Sequence, residues 1–150
     1  MGNIVGIDNE MPLDAQFTPA ADVTLTAGSE VLGITTTTAF AALSPGSYYP
    51  ILRGSLSFLM GATASAALVI AWRFNGGADI GTYTVNTGLL VNNATIQVPF
   101  EFLGADSGSI WYPTGKIIEI TGKATTTACT LNKVGSFATV GLRRGLNTLP

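Results

Sequence analysis

Histidine is missing from the 150 residues, cysteine occurs once, and the charged side chains number only seven bases and nine acids. Without an imidazole there is no hydrolytic triad, and zinc sites, which draw on several Cys or His, are excluded with it. A Ser-Lys pair with Lys116, Lys123 or Lys133 is arithmetically open, but no motif places one. Cys129 has no intrachain mate, and within Thr127-Ala128-Cys129-Thr130 it reads as a small buried hydrophobe; a reactive thiol needs a basic neighbour, and Lys133 is the nearest. Charge of one sign never accumulates. The formal balance is −2, Arg143 and Arg144 are the only adjacent bases, and no nucleic-acid footprint emerges. Long apolar runs are lacking too. The uncharged stretch from Arg53 to Arg73 is interrupted by Gly61-Ala62-Thr63-Ala64-Ser65-Ala66, which suits two strands and a loop better than a membrane span. Met1-Gly2-Asn3-Ile4-Val5 lacks the basic start of a signal peptide, and Gly6 stands where myristoylation wants Ser or Thr. The expectation is a soluble product made in a cytoplasm.

What is present is threonine, glycine and alanine in a period of two. Residues 1–21 stand apart, with Asp8, Glu10 and Asp14 set around Pro12 and Pro19 and Asp22 as boundary. Ile4, Val5, Ile7, Met11, Leu13 and Phe17 give this segment apolar anchors. It reads either as an extended arm or as a first strand folded back on its own domain. Strand patterns follow at Val23–Thr26 and Val31–Thr38, and Ala39–Leu43 suits one helical turn. A long strand at Tyr49–Met60 has Ile51, Leu56, Phe58 and Met60 as core candidates and a phase change near Arg53 and Gly54 that predicts a bulge. Ala67–Phe74 is apolar on both faces, as in a central strand. Asn75-Gly76-Gly77 turns the chain into Ile80–Asn86. The cleanest alternation sets Ala94, Ile96, Val98, Phe100 and Phe102 against Thr95, Gln97, Pro99 and Glu101, and Pro99 predicts a sheet edge or a bulge. Further strands are expected at Ser109–Tyr112, Lys116–Thr121, Ala124–Leu131 and Ser136–Leu142. Eight to ten strands without a convincing helix give an all-β, single jelly-roll-like β-sandwich over 22–144, with an N-terminal arm over 1–21 and a tail over 145–150.

Motifs for chemistry are few. Gly115-Lys116 is followed by Ile117 and has no glycine at the Walker offset. Asp8, Glu10 and Asp14 lack the glycine and terminal Glu of a calcium loop, so they read as a solvated arm. Glu101 and Glu119 would serve as a glycosidase pair only if the fold brought them to about 5–9 Å; edge solubility is the plainer role. Asn93-Ala94-Thr95 matches a glycosylation sequon without a secretory signal to give it meaning. The aromatic pairs Tyr48 with Tyr49 and Trp111 with Tyr112, each beside a proline, suit either core or a subunit interface.

Thr24-Leu25-Thr26-Ala27 through Glu30-Val31-Leu32, the Pro45-Gly46-Ser47-Tyr48-Tyr49 turn into a strand reaching Gly54-Ser55-Leu56, and Trp72-Arg73-Phe74-Asn75-Gly76-Gly77 together resemble the small jelly-roll domains of tailed-phage virion proteins. Among these the chain looks most like a capsid decoration (cement) protein. That resemblance covers about 20 to 105, and the C-terminal third departs from the pattern. It implies a non-enzymatic homotrimer without cofactor, nucleic-acid, membrane or small-molecule partner, sitting on the outer capsid surface of the virion. Its partner would be the major capsid protein, gripped by the arm anchors Ile4, Val5, Ile7, Met11, Leu13 and Phe17, with Tyr48, Tyr49, Trp111 and Tyr112 between subunits. The alternative is a receptor- or glycan-binding jelly-roll module of a phage fibre or spike, with Trp111 and Tyr112 stacking on sugar.

Overall fold

A computed structural model describes residues 10–35, 48–74, 76–103 and 117–144. Among them run β1 (Glu10–Phe17), β2 (Val23–Leu25), β3 (Val31–Thr35), β4 (Tyr48–Met60), β5 (Ala67–Phe74), β6 (Gly81–Asn86), β7 (Thr95–Leu103), β8 (Ile118–Ala124) and β9 (Cys129–Arg144). The only helical piece among the described residues is a single 3-10 turn at Thr87–Leu89.

One sheet has the order β1-β9-β4-β7, with β2 also on β9, and the other has the order β3-β8-β5-β6. The antiparallel pairs nest: β2 with β9, β3 with β8, β4 with β7 and β5 with β6. Such nesting is what results when one long hairpin, with its tip between β5 and β6, is rolled up so that successive pairs fall alternately into two facing sheets. The fold is a jelly-roll β-sandwich.

Alternation along each strand supplies the core. Leu52, Leu56, Phe58 and Met60 of β4, Val98, Phe100 and Phe102 of β7, and Leu131, Ala138 and Val140 of β9 face inward from one sheet. Leu68, Ile70 and Trp72 of β5 and Ile118, Ile120 and Ala124 of β8 meet them from the other. Each large side chain buried this way contributes about 1.5–3 kcal/mol of hydrophobic transfer. Pro99 lies on β7, which among the described residues pairs with β4 alone, so its missing N–H falls on an edge strand there, the first of the two expected readings.

Several local expectations are corrected. There is no bulge at Arg53 and Gly54: the β4–β7 register runs unbroken from Ile51↔Leu103 to Leu59↔Thr95. Gly54 occupies an inward slot between Leu52 and Leu56, and the missing side chain, rather than an extra residue, produces the apparent phase change. Leu52, not Ile51, heads the core row; Ile51 is buried outside the core cluster. The real irregularity lies one row on, where Ser55 faces Phe137 but Ser57 faces Asn132. The extra residues belong to β9, so the two strands expected at Ala124–Leu131 and Ser136–Leu142 are replaced by one bulged strand, with Ala124 ending β8.

The N-terminal segment takes the second of its two readings over 10–17. β1 pairs with β9 from Glu10↔Arg143 to Phe17↔Ala138, and Phe17 packs against the core. The following link is tied down as well, with Lys133 Nζ donating to the Ala20 carbonyl at 3.0 Å and the Lys133 N–H to Asp22 Oδ1 at 2.7 Å. The sandwich therefore includes residues 10–17, upstream of the boundary expected at 22, and Phe17 is a core-facing residue rather than a free anchor. Met11 and Leu13 lie in β1; Ile4, Val5 and Ile7 lie outside the described residues, as do the expected helical turn at Ala39–Leu43 and the strand at Ser109–Tyr112.

One polar knot closes an end of the sandwich. Buried Ser65, in the β4–β5 loop, donates to the Ala67 carbonyl at 3.0 Å and accepts from the N–H groups of Thr125 and Thr126 at 3.0 and 3.1 Å. Thr125 Oγ1 accepts from Ala67 N–H at 2.8 Å, and Thr126 Oγ1 from Ala66 N–H at 2.8 Å. Ser65→Ala removes an acceptor from the Thr126 N–H and one of two acceptors from the Thr125 N–H, which also donates to the Ala67 carbonyl at 3.1 Å, and a lost hydrogen bond costs about 0.5–1.5 kcal/mol. Urea unfolding should show a loss of that order, while Ser29→Ala in the exposed β2–β3 turn changes little.

Candidate functional site

The sandwich presents two outer faces of different chemistry. On the sheet β1-β9-β4-β7, alternation turns Arg53, Ser55 and Leu59 of β4 outward beside Thr95, Gln97, Pro99 and Glu101 of β7 and Phe137 and Thr139 of β9. Arg53, Pro99, Glu101, Phe137 and Thr139 line a shallow, open depression of about 510 Å³ over the backbone of Gly54. Arg53 Nε meets Glu101 Oε2 at 2.8 Å with the two side chains 59% and 50% exposed, so water screens the pair and it adds about 0–1 kcal/mol.

The β9 bulge stands on this same face, and its hydrogen bonds hold it in place. Skipping residues on β9 would orphan the buried Ser57 N–H, and Ser136 Oγ accepts from it at 2.9 Å in place of a strand carbonyl. Gln97 Nε2 donates to Ser55 Oγ at 2.8 Å and to the Gly135 carbonyl at 2.6 Å, while Asn132 Nδ2 donates to Ser57 Oγ at 3.1 Å. Gly135 turns the chain with φ of +85°, a conformation that costs glycine little. The bulge lifts Val134 into solvent at 85% exposure, and Phe137 and Leu59 lie partly exposed beside it at 37% and 43%.

The outer face of β3-β8-β5-β6 is charged. Arg73 on β5 donates from Nε to Glu119 Oε2 of β8 at 2.7 Å and from Nη1 to Glu30 Oε1 at 2.8 Å, and Glu119 also accepts from the Gly76 N–H at 3.0 Å. The hydrogen bond that Arg73 donates to Glu119 raises the Arg73 pKa further above its ordinary value. In the β5–β6 loop, partial desolvation and then the neighbouring Glu30 carboxylate raise the Asp79 pKa above 3.8. A raised folded-state pKa means that stability present below the unfolded value is lost as pH rises through the folded one. Asp79→Asn should therefore raise the melting temperature at pH 7 and leave it unchanged below the ordinary aspartate pKa, as read by thermal scans across that range.

Glu101 and Glu119 are not brought together: they stand on different sheets, each ion-paired to its own arginine. Cys129 is buried, and desolvation pushes its thiol up to about 11, which keeps it protonated and inert at neutral pH. Among the described residues no three His, Cys, Asp or Glu side chains gather as a metal site, and no helix is long and apolar enough to cross a membrane. Asn93 of the sequon takes a positive φ of 52° in the loop before β7. Tyr48 and Tyr49 open β4 with their backbones paired to Arg144 and Arg143, and Trp111 and Tyr112 lie outside the described residues. Phe137, Val134 and Leu59 escaped the sequence reading because a lone apolar residue in a strand looks the same whichever face it takes. The break at Asn132-Lys133-Val134-Gly135 was the available signal, and it marked a bulge rather than a strand end.

A jelly-roll domain with one neutral and one charged outer face is thus the class that the fold and its surfaces define. No protein-family model and no curated protein matches the chain. Among solved structures it is similar to the Eiger TNF of S. frugiperda, at 9% identity and a TM-score of 0.52, covering 92% of this chain and 95% of that one. The Gx strain of infectious bursal disease virus gives 17% identity and a TM-score of 0.46 over 90% of this chain and 30% of that chain. The VP2 subviral particle of the same virus gives 16% and 0.44 over 89% and 31%. The chain spans about a third of the length of these two viral proteins. What it shares with the Eiger TNF is the fold.

Proposed function

We propose that this is a structural virion protein, a capsid decoration (cement) subunit that binds the outer surface of a tailed-phage head as a homotrimer and bridges major capsid protein subunits. The observation that carries the reading is a single small jelly roll whose described surfaces offer flat contact faces in place of a convergent polar cleft. The segments around Thr24–Leu32, Pro45–Leu56 and Trp72–Gly77, which resemble phage jelly-roll domains, support it. Because β1 belongs to the sandwich, the capsid-gripping part reduces to residues 1–9 with Ile4, Val5 and Ile7. Many copies around a shell turn weak apolar contacts of this kind into firm attachment through simultaneous engagement.

The test removes residues 2–9 and leaves β1 intact. The truncated protein should keep its circular dichroism spectrum and its mass in solution while losing at least about tenfold in binding to undecorated heads, as read by co-sedimentation. Unchanged binding would end the role of this segment. Failure of the full chain to bind heads at all would end the decoration reading.

A further inference from the structure

We infer that the outer face of β9-β4-β7 is the surface on which copies of this chain pack against one another. The inference deepens the homotrimer part of the proposed function and rests on it only for the identity of the partner; capsid binding plays no part in it.

Three observations point to a second copy as the occupant. Phe137, Leu59 and Val134 are exposed together on one sheet face next to an open depression; Leu32 and Tyr83 are exposed on the other sheet, so charge rather than apolar area is what separates the two faces. On this face Arg53 stands against Glu101, so these two charges cancel in place. The other sheet carries Glu30, Asp79 and Glu119 against Arg73 and Lys123, so the described surface divides into a charged side and a neutral one. A base and an acid side by side allow a head-to-tail contact: around a closed threefold axis Arg53 of one copy reaches Glu101 of the next, so no charge is buried unpaired. A nucleic acid or anionic membrane would instead need a surplus of bases, and among the described side chains of the β4 and β7 strands here Arg53 is matched by Glu101.

The size fits as well. The β4–β7 ladder is nine residue pairs long, and with β9 the face is three strands wide. At about 4.8 Å between strands and about 3.3 Å per residue that is roughly 430 Å² in projection. Accessible area exceeds projected area, which brings the face to the scale of the roughly 800 Å² per partner of a stable interface. The bulge bonds made by Gln97, Ser136 and Asn132 fix the relief of this surface before association, so less ordering entropy is lost on contact.

Analytical ultracentrifugation of the full chain over a dilution series tests the inference. The wild type should sediment as a multiple of its own mass. Phe137→Glu should weaken association by at least about 30-fold, equivalent to about 2 kcal/mol, with an unchanged circular dichroism spectrum. Leu32→Glu, on the opposite sheet, should leave the mass as it is. Should Phe137→Glu fail to fold, Arg53→Glu takes its place: it should dissociate the assembly, and adding Glu101→Arg should restore it. A wild type that stays monomeric overturns both the homotrimer and this face. A folded Phe137→Glu or Arg53→Glu that keeps the wild-type mass, or a Leu32→Glu that loses it, overturns the face and leaves the homotrimer standing.

Discussion

Gly54→Ala lowers stability by about 3 kcal/mol, toward the upper end of what overpacking a well-filled core costs, and urea midpoints beside Gly88→Ala measure it. The reason is what surrounds the slot. A Cβ at Gly54 would press on the Phe137 carbonyl oxygen, and would lie 2.8 Å from Phe100 Cζ and 2.9 Å from Ala138 Cα. Two of these three are backbone of β9, the strand that β1, β2 and β4 all pair with, so relief requires moving a strand that holds the sheet together. Gly122 offers the contrast. The three atoms nearest its added Cβ all belong to the Leu25 side chain, with Cδ1 at 2.9 Å, and a leucine can change rotamer where a strand cannot shift. Gly88 has nothing within 4 Å, so alanine there should be near neutral.

The second large effect is expected at Phe58. It is fully buried near the C-terminal end of β4, opposite Ile96 on β7 and Leu131 on β9. Phe58→Ala removes its contacts and leaves a void that interlocked strands on both sides cannot collapse into, for a loss of about 3–5 kcal/mol. Phe137→Ala, on the outer side of the same sheet, should cost the monomer less than about 1 kcal/mol, because that ring already lies partly in water. Chemical denaturation of both variants at a dilution where the chain is monomeric separates the two faces. A similar loss for both would contradict the assignment of faces.

Much of the architecture was legible because period-two alternation carries face information directly. The run from Ala94 to Phe102 became β7 with Val98, Phe100 and Phe102 in the core and Ile96 packed against it, and Pro99 left an edge or a bulge open, between which the pairing decided. The loop through Gly61–Ala66 divided β4 from β5 as its small residues implied. Alternation could not tell an absent side chain from an extra residue, so Gly54 read as a bulge. Conversely, the true bulge in β9 read as a break between two strands, because Lys133-Val134-Gly135 looks like a turn until its neighbours supply hydrogen bonds from Ser57 and Gln97.

The candidate surface was less legible than the fold. Glu101 and Glu119 looked alike as lone carboxylates on strands, and only pairing across strands gave Arg53 to one and Arg73 to the other. Phe17 looked like an arm anchor because nothing local reveals that β9 runs alongside it.

The amino-acid order by itself determined that this chain builds strands, that it folds as one jelly-roll sandwich, and that imidazole and zinc chemistry are closed to it. Those properties follow from residue inventory and from the two-residue repeat of a pleated backbone, both of which are local. Tertiary structure alone decided that residues 10–17 join the sheet, that β9 bulges, and that one outer face is neutral while the other is charged. Each of these depends on pairing between residues far apart in the chain, such as Phe17 with Ala138 or Arg53 with Glu101. That pairing is chosen by the packing of the whole core and is written in no single stretch.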